Sequence, residues 1–177
     1  MSQDLLILII LTFLTGLIVK YVDVLEDDRK NSSLSLKITL GMLYGILLFY
    51  TVRRFDVIAS LWIGTVIGLI LTGKIDSPGH YAGVGLFFVL LLLLGFSNVN
   101  FLLLILFALI CIIEEILNDY YDKKRIKNRL MSKIISARPL LEITAFIISA
   151  ATGLWMIWIA LLSFDAGYIL VANLDKD

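Results

Sequence analysis

The side chains able to do chemistry in this 177-residue sequence gather in three short stretches. The first is Lys20-Tyr-Val-Asp23-Val-Leu-Glu26-Asp27-Asp28-Arg29-Lys30, in which Lys20, Asp23 and Asp27 share one helical face. Two carboxylates one turn apart suit a hard cation such as Mg²⁺, which takes oxygen ligands and shares them with substrate phosphates. The second is Gly73-Lys74-Ile75-Asp76-Ser77-Pro78-Gly79-His80. Ser77 reads as a helix cap, with Pro78 at the first helical position. His80 then falls in the first turn, where free N–H groups favour an anion, and Lys74 adds a point charge for a phosphate. The third is Glu114-Glu115-Ile-Leu-Asn118-Asp119-Tyr-Tyr-Asp122-Lys123-Lys124-Arg125. As a helix it carries Glu115, Asp119 and Asp122 on one stripe and Glu114 with Asn118 on the next. Further on, Arg138-Pro139 opens another helix with Glu142 one turn inside it, so Arg138 either clamps a phosphate or pairs with Glu142. Each stretch has a plainer reading too: a solvated helix end, a capped tight turn, and a basic anchor on anionic lipid.

The elements that must position these clusters are apolar. Hydrophobic residues make up 60% of the chain and charged ones 17%, against roughly 45–50% and about 25% in soluble domains. The excess falls in runs such as Leu5–Val19, Ile58–Thr72, Ala82–Phe96 and Phe101–Ile113. That composition excludes a soluble domain, a disulfide scaffold and a nucleic-acid binder, and it points to an all-α, polytopic membrane bundle with no soluble domain. A crossing takes about 20 residues. Six stretches qualify: about 4–24, 36–53, 56–73, 79–96, 99–117 and 140–163. Residues 164–174 read as an extension of the sixth or an interfacial tail, with Asp165 at the outer end of that helix and Gly167 as its stop.

Charge sets the expected orientation in the cell membrane. Twelve Lys and Arg, from Lys20 through Lys74 to Arg138, fall on the side taken as cytoplasmic; only Arg53, Arg54 and Lys176 fall on the other. Both termini would then face outward. Asp23, Asp27, Asp76, Glu115, Asp119 and Asp122 share the cytoplasmic side with His80, so nearly all polar chemistry is expected at one face. Gly41-x-x-x-Gly45 and Gly64-x-x-x-Gly68 let helices approach closely, within the chain or between two copies. Gly83 and Gly85 leave similar room near the start of the fourth stretch. Cys111 lies inside an apolar run and reads as a small buried hydrophobe. Trp62, Trp155 and Trp158 fall mid-helix, where they fill packing space.

Two of these fragments resemble the metal motifs of the membrane-embedded prenyltransferases of the UbiA superfamily. Asn118-Asp119-Tyr120-Tyr121-Asp122 is similar to the start of that family's first Asp-rich motif, with Arg138-Pro139 downstream; Asp23-Val-Leu-Glu-Asp27 is similar to its second. The last Asp of the first motif is Ile126 here, the two motifs come in reverse order, and the family has more spans. The resemblance implies a helical bundle that holds Mg²⁺ and a prenyl diphosphate at one membrane face.

Together these features lead to an expected integral membrane enzyme, a transferase or hydrolase, acting on a lipid-linked phosphate or diphosphate. Asp23, Asp27, Glu115, Asp119 and His80 are the candidate catalytic residues. Lys20, Lys74 and Arg138 would bind phosphate, and Asp23, Asp27, Asp76, Asp119 and Asp122 would bind Mg²⁺. His80 is the sole histidine, so any site needing two is excluded. The competing classes are a cation or proton transporter, which needs charge at the membrane midplane, and a non-enzymatic scaffold that binds anionic lipid.

Overall fold

A computed structural model describes residues 3–27, 32–95, 98–124 and 139–175, with the side chains of 121–124 outside the description. The described residues form seven α-helices and no strand: α1 (Gln3–Asp27), α2 (Leu34–Arg54), α3 (Asp56–Leu71), α4 (Pro78–Leu94), α5 (Phe101–Lys124), α6 (Pro139–Thr152) and α7 (Met156–Leu174). Four stretches are long and apolar enough to cross a membrane: Gln3–Asp27, Leu34–Arg54, Phe101–Tyr120 and Met156–Leu174. α3, α4 and α6 are shorter.

Among the described residues the count of about six spans is not supported, since four helices are long and apolar enough. The stretch expected as one helix over 140–163 is two helices folded back on each other. Gly153 takes φ 75°, a left-handed conformation that ends α6. Ser149, fully buried, fixes the reversal by donating to the Leu154 carbonyl (3.2 Å) and accepting from the Trp158 N–H (3.3 Å). With 14 residues, α6 is about 21 Å long. Residues 164–174 are therefore the second half of α7, and Asp165 sits halfway along that helix rather than at an end. Trp155 and Trp158 lie at the reversal, packed edge-on against Phe146.

Helices that are neighbours in sequence run antiparallel, but the tightest contacts join helices that run the same way. Gly41 and Gly45 of α2 meet Gly79 and Gly83 of α4 in matching order, and a methyl group on Gly41 would overlap the Gly79 carbonyl oxygen. Gly64 and Gly68 of α3 meet Leu104, Phe107, Ala108 and Cys111 of α5. Gly16 of α1 lies on the Phe164 carbonyl, and Gly167 of α7 lies on that of Phe13. Small residues allow such approach because no side chain separates the backbones. Both Gly-x-x-x-Gly faces are thus used inside the chain, and so is Cys111, buried at 4% exposure. Side chains from every helix fill the core, among them Leu8, Leu48, Leu61, Phe87, Phe107, Ala145 and Ile157.

Because α7 runs parallel to α1, the start of α1 and the end of α7 lie at opposite ends of the bundle. The expectation of two termini on one side does not match this geometry. At the end where α1 starts, Arg54 pairs with Asp4 at 2.7 Å and Asn98 donates to Asp56 at 3.1 Å. The larger polar assembly is at the other end.

Candidate functional site

Four helices supply the first assembly. Asp23 and Lys20 come from the last two turns of α1, and His80 from the first turn of α4. Tyr44 comes from α2, and Tyr168 from α7. His80 Nε2 lies 2.7 Å from Asp23 Oδ1. The other carboxylate oxygen accepts from the Tyr168 hydroxyl at 2.8 Å and has Lys20 Nζ at 3.7 Å. Lys20 also stands over the Tyr168 ring, 5.1 Å from its centroid. On the far side of the imidazole, the Tyr44 hydroxyl is 3.2 Å from Nδ1 and donates to the His80 carbonyl at 3.2 Å. Tyr44 is almost fully buried, whereas the side chains of Asp23 and Lys20 are about one-quarter exposed. The chemistry this allows is proton transfer beside a cation: a carboxylate orients an imidazole and a lysine stands ready for negative charge.

One turn along α1, Glu26 performs a task that the sequence assigned elsewhere. Ser77 does stand at the N-cap of α4 with Pro78 following, but its hydroxyl makes no capping bond. The free Gly79 N–H instead donates to Glu26 Oε1 at 2.9 Å, and Lys37 Nζ donates to Glu26 Oε2 at 2.9 Å. The anion at the start of α4 is thus the chain's own carboxylate. Lys74, expected there, points to a different helix. It donates to Asp119 Oδ1 and lies 3.6 Å from Glu115 Oε2. Glu114 accepts from the Leu140 N–H at 2.6 Å, which holds the start of α6 against α5.

The structure therefore separates the candidate residues into two groups. Lys20, Asp23 and His80 meet on α1 and α4. Lys74, Glu115 and Asp119 meet between the α3–α4 turn and α5. Asp27 is exposed at the end of α1 and Asp76 is exposed in the α3–α4 turn. The side chain of Asp122, and Arg138 with the basic stretch before it, lie outside the described residues. Among the described residues no three His, Cys, Asp or Glu side chains come close enough together to hold a metal ion. The carboxylates of Asp23, Glu26 and Asp119 each face a lysine instead.

Four participants escaped the sequence reading: Glu26 as a cap, Lys37 as its buried partner, and the tyrosines 44 and 168. The available signal for Lys37 was a charge one turn inside an apolar helix. For Tyr44 it was a hydroxyl-bearing ring between the two glycines of a close-packing motif. Comparison of the chain with protein-family models, characterised proteins and solved structures gives no match.

Proposed function

We propose that this chain is a multi-pass membrane enzyme that acts on a lipid-borne phosphate or diphosphate at the bundle end carrying Lys20, Asp23 and His80. The Asp23–His80 pair is the observation that supports this reading. A carboxylate fixed on one ring nitrogen prepares an imidazole for acid–base work. Lys20 is the cation offered to a phosphate oxygen, because its contact with Asp23 is long and its side chain is 24% exposed. Lys37, 9% exposed and 2.9 Å from Glu26, is committed to the fold. A lipid tail would lie along the aliphatic outer surface, where Leu6, Ile10 and Leu14 of α1 are exposed. The excess of Lys and Arg beside this end argues for the cytoplasmic side of the membrane. The described carboxylates do not gather into a metal site, and each of Asp23, Glu26 and Asp119 faces a lysine.

Thermal unfolding of purified protein tests the reading, with and without a polyprenyl diphosphate and Mg²⁺. Ligand at about 100 times its Kd stabilises a protein by ~2.7 kcal/mol, a rise of several degrees in Tm. Wild type and Asp119→Asn should show that rise, and Asp23→Asn and Lys20→Gln should lose most of it. No rise in wild type, with or without Mg²⁺, would remove the enzyme proposal.

A cation or proton transporter is the second reading, favoured by Asp165. Its place halfway along a helix long enough to cross a membrane puts a carboxylate near the midplane. Proton or cation flux into proteoliposomes that Asp165→Asn abolishes and Asp23→Asn spares would select it.

A further inference from the structure

We infer that Tyr44 is a positioning residue for His80: its hydroxyl, together with Asp23, holds the imidazole with the proton on Nε2 and keeps Nδ1 as the proton-accepting nitrogen. The inference deepens the acid–base role proposed above for the Asp23–His80 pair. The hydroxyl of a tyrosine as buried as Tyr44, 3% exposed, needs a hydrogen bond. Tyr44 has two acceptors within reach, His80 Nδ1 and the His80 carbonyl, each at 3.2 Å. At the other nitrogen, Asp23 Oδ1 at 2.7 Å can only accept when ionised, so Nε2 must carry a proton. In the neutral ring Nδ1 is then bare and faces the Tyr44 hydroxyl.

That arrangement tolerates a second proton without movement of the ring. With Nδ1 bare, the hydroxyl proton is shared between Nδ1 and the carbonyl. With Nδ1 protonated, its N–H donates to the tyrosine oxygen and the hydroxyl turns fully to the carbonyl. Neither state leaves a buried polar atom unsatisfied, which would otherwise cost about 1–3 kcal/mol. A phenylalanine at 44 would fill the same space and do neither.

The helix contacts make this reach possible. Tyr44 stands between Gly41 and Gly45, where α2 lies directly on α4. Its ring crosses to the first turn of α4, 5.9 Å from the imidazole between centroids. The crossing passes over Gly83, where a Cβ would overlap both the ring and the hydroxyl. The close-packing motif thus aims a hydroxyl at the sole histidine.

Having one histidine makes the test clean, since ¹⁵N-histidine labelling reports on His80 alone. Nitrogen NMR of the full-length protein in detergent at neutral pH should show Nε2 protonated and Nδ1 unprotonated. Tyr44→Phe should move the Nδ1 resonance and leave that of Nε2 in place, with Tm lowered by a few degrees. Asp23→Asn should move both resonances, because both tautomers then appear. A wild-type spectrum with Nδ1 protonated and Nε2 bare overturns the inference, even if no variant folds. So does a Tyr44→Phe spectrum identical to wild type. These readouts need no substrate, so loss of the lipid-phosphate reading would leave them standing.

Discussion

Lys37 and Arg54 are both cations on α2, and both pair with a carboxylate of α1, yet their surroundings differ. Lys37 and Glu26 are about nine-tenths buried, and Glu26 also receives the Gly79 N–H. Arg54 and Asp4 are about half exposed. Removing one member of a buried pair leaves an uncompensated charge, at a cost of about 3–5 kcal/mol. Exposed pairs contribute about 0–1 kcal/mol. Lys37→Met is therefore expected to lower stability several-fold more than Arg54→Gln. The double variant Glu26→Gln, Lys37→Met should recover much of the loss, because glutamine still accepts from Gly79. Equilibrium unfolding in detergent measures all three, and equal effects of Lys37→Met and Arg54→Gln would contradict the buried pairing. None of this was legible in residues 20–37 alone. Spacing shows which carboxylates share a helical face but not which lysine of another helix will reach them.

Glycines 83 and 85, adjacent in the sequence reading as room-makers, separate at the level of the helix. A Cβ on Gly83 would strike Tyr44, whereas one on Gly85 meets nothing within 4 Å. Gly→Ala in a helix interior is worth roughly 1 kcal/mol in the absence of a clash. Gly85→Ala should raise stability by up to about that amount, and Gly83→Ala should lower it and shift the His80 resonances. Thermal unfolding together with the nitrogen spectrum decides the contrast. The helices themselves were legible, since apolar runs of that length have few alternatives. The reversal at Gly153 was not. Glycine is common in membrane helices, and apolar residues continue on both sides of it through Ala151 and Leu154. Hydropathy therefore runs smoothly across a point where the chain turns back.

That reversal changes the molecule as a whole. The described helices α1 and α7 run the same way, which puts the start of α1 and the end of α7 on opposite sides of the bundle. In a Cys111→Ala background, a cysteine at Asp4 and one at Asp175 are expected to react with a membrane-impermeant maleimide from opposite faces of oriented vesicles. Labelling of both from the same face would restore the six-span arrangement. The same architecture divides the acidic stretches. α1 packs with α7 and α2, whereas α5 packs with α3 and α6, so Asp23 and Asp119 answer to different neighbours. One polar end of the bundle was legible from the charge pattern. Its division into two lysine-carboxylate groups was not.

The sequence by itself determined a helical, strongly apolar chain with its acids and bases concentrated at helix ends, though it read six crossing stretches where four described helices are long and apolar enough. Those properties follow from local composition and periodicity, which act over a turn or a span. Only the tertiary structure decided that Glu26 would cap α4, that Lys74 would turn to Asp119, and that Asp23, His80, Tyr44 and Tyr168 would meet. Such contacts depend on which backbones approach closely enough. Here that choice was made by glycines on separate helices, whose matching surfaces no single stretch of sequence contains.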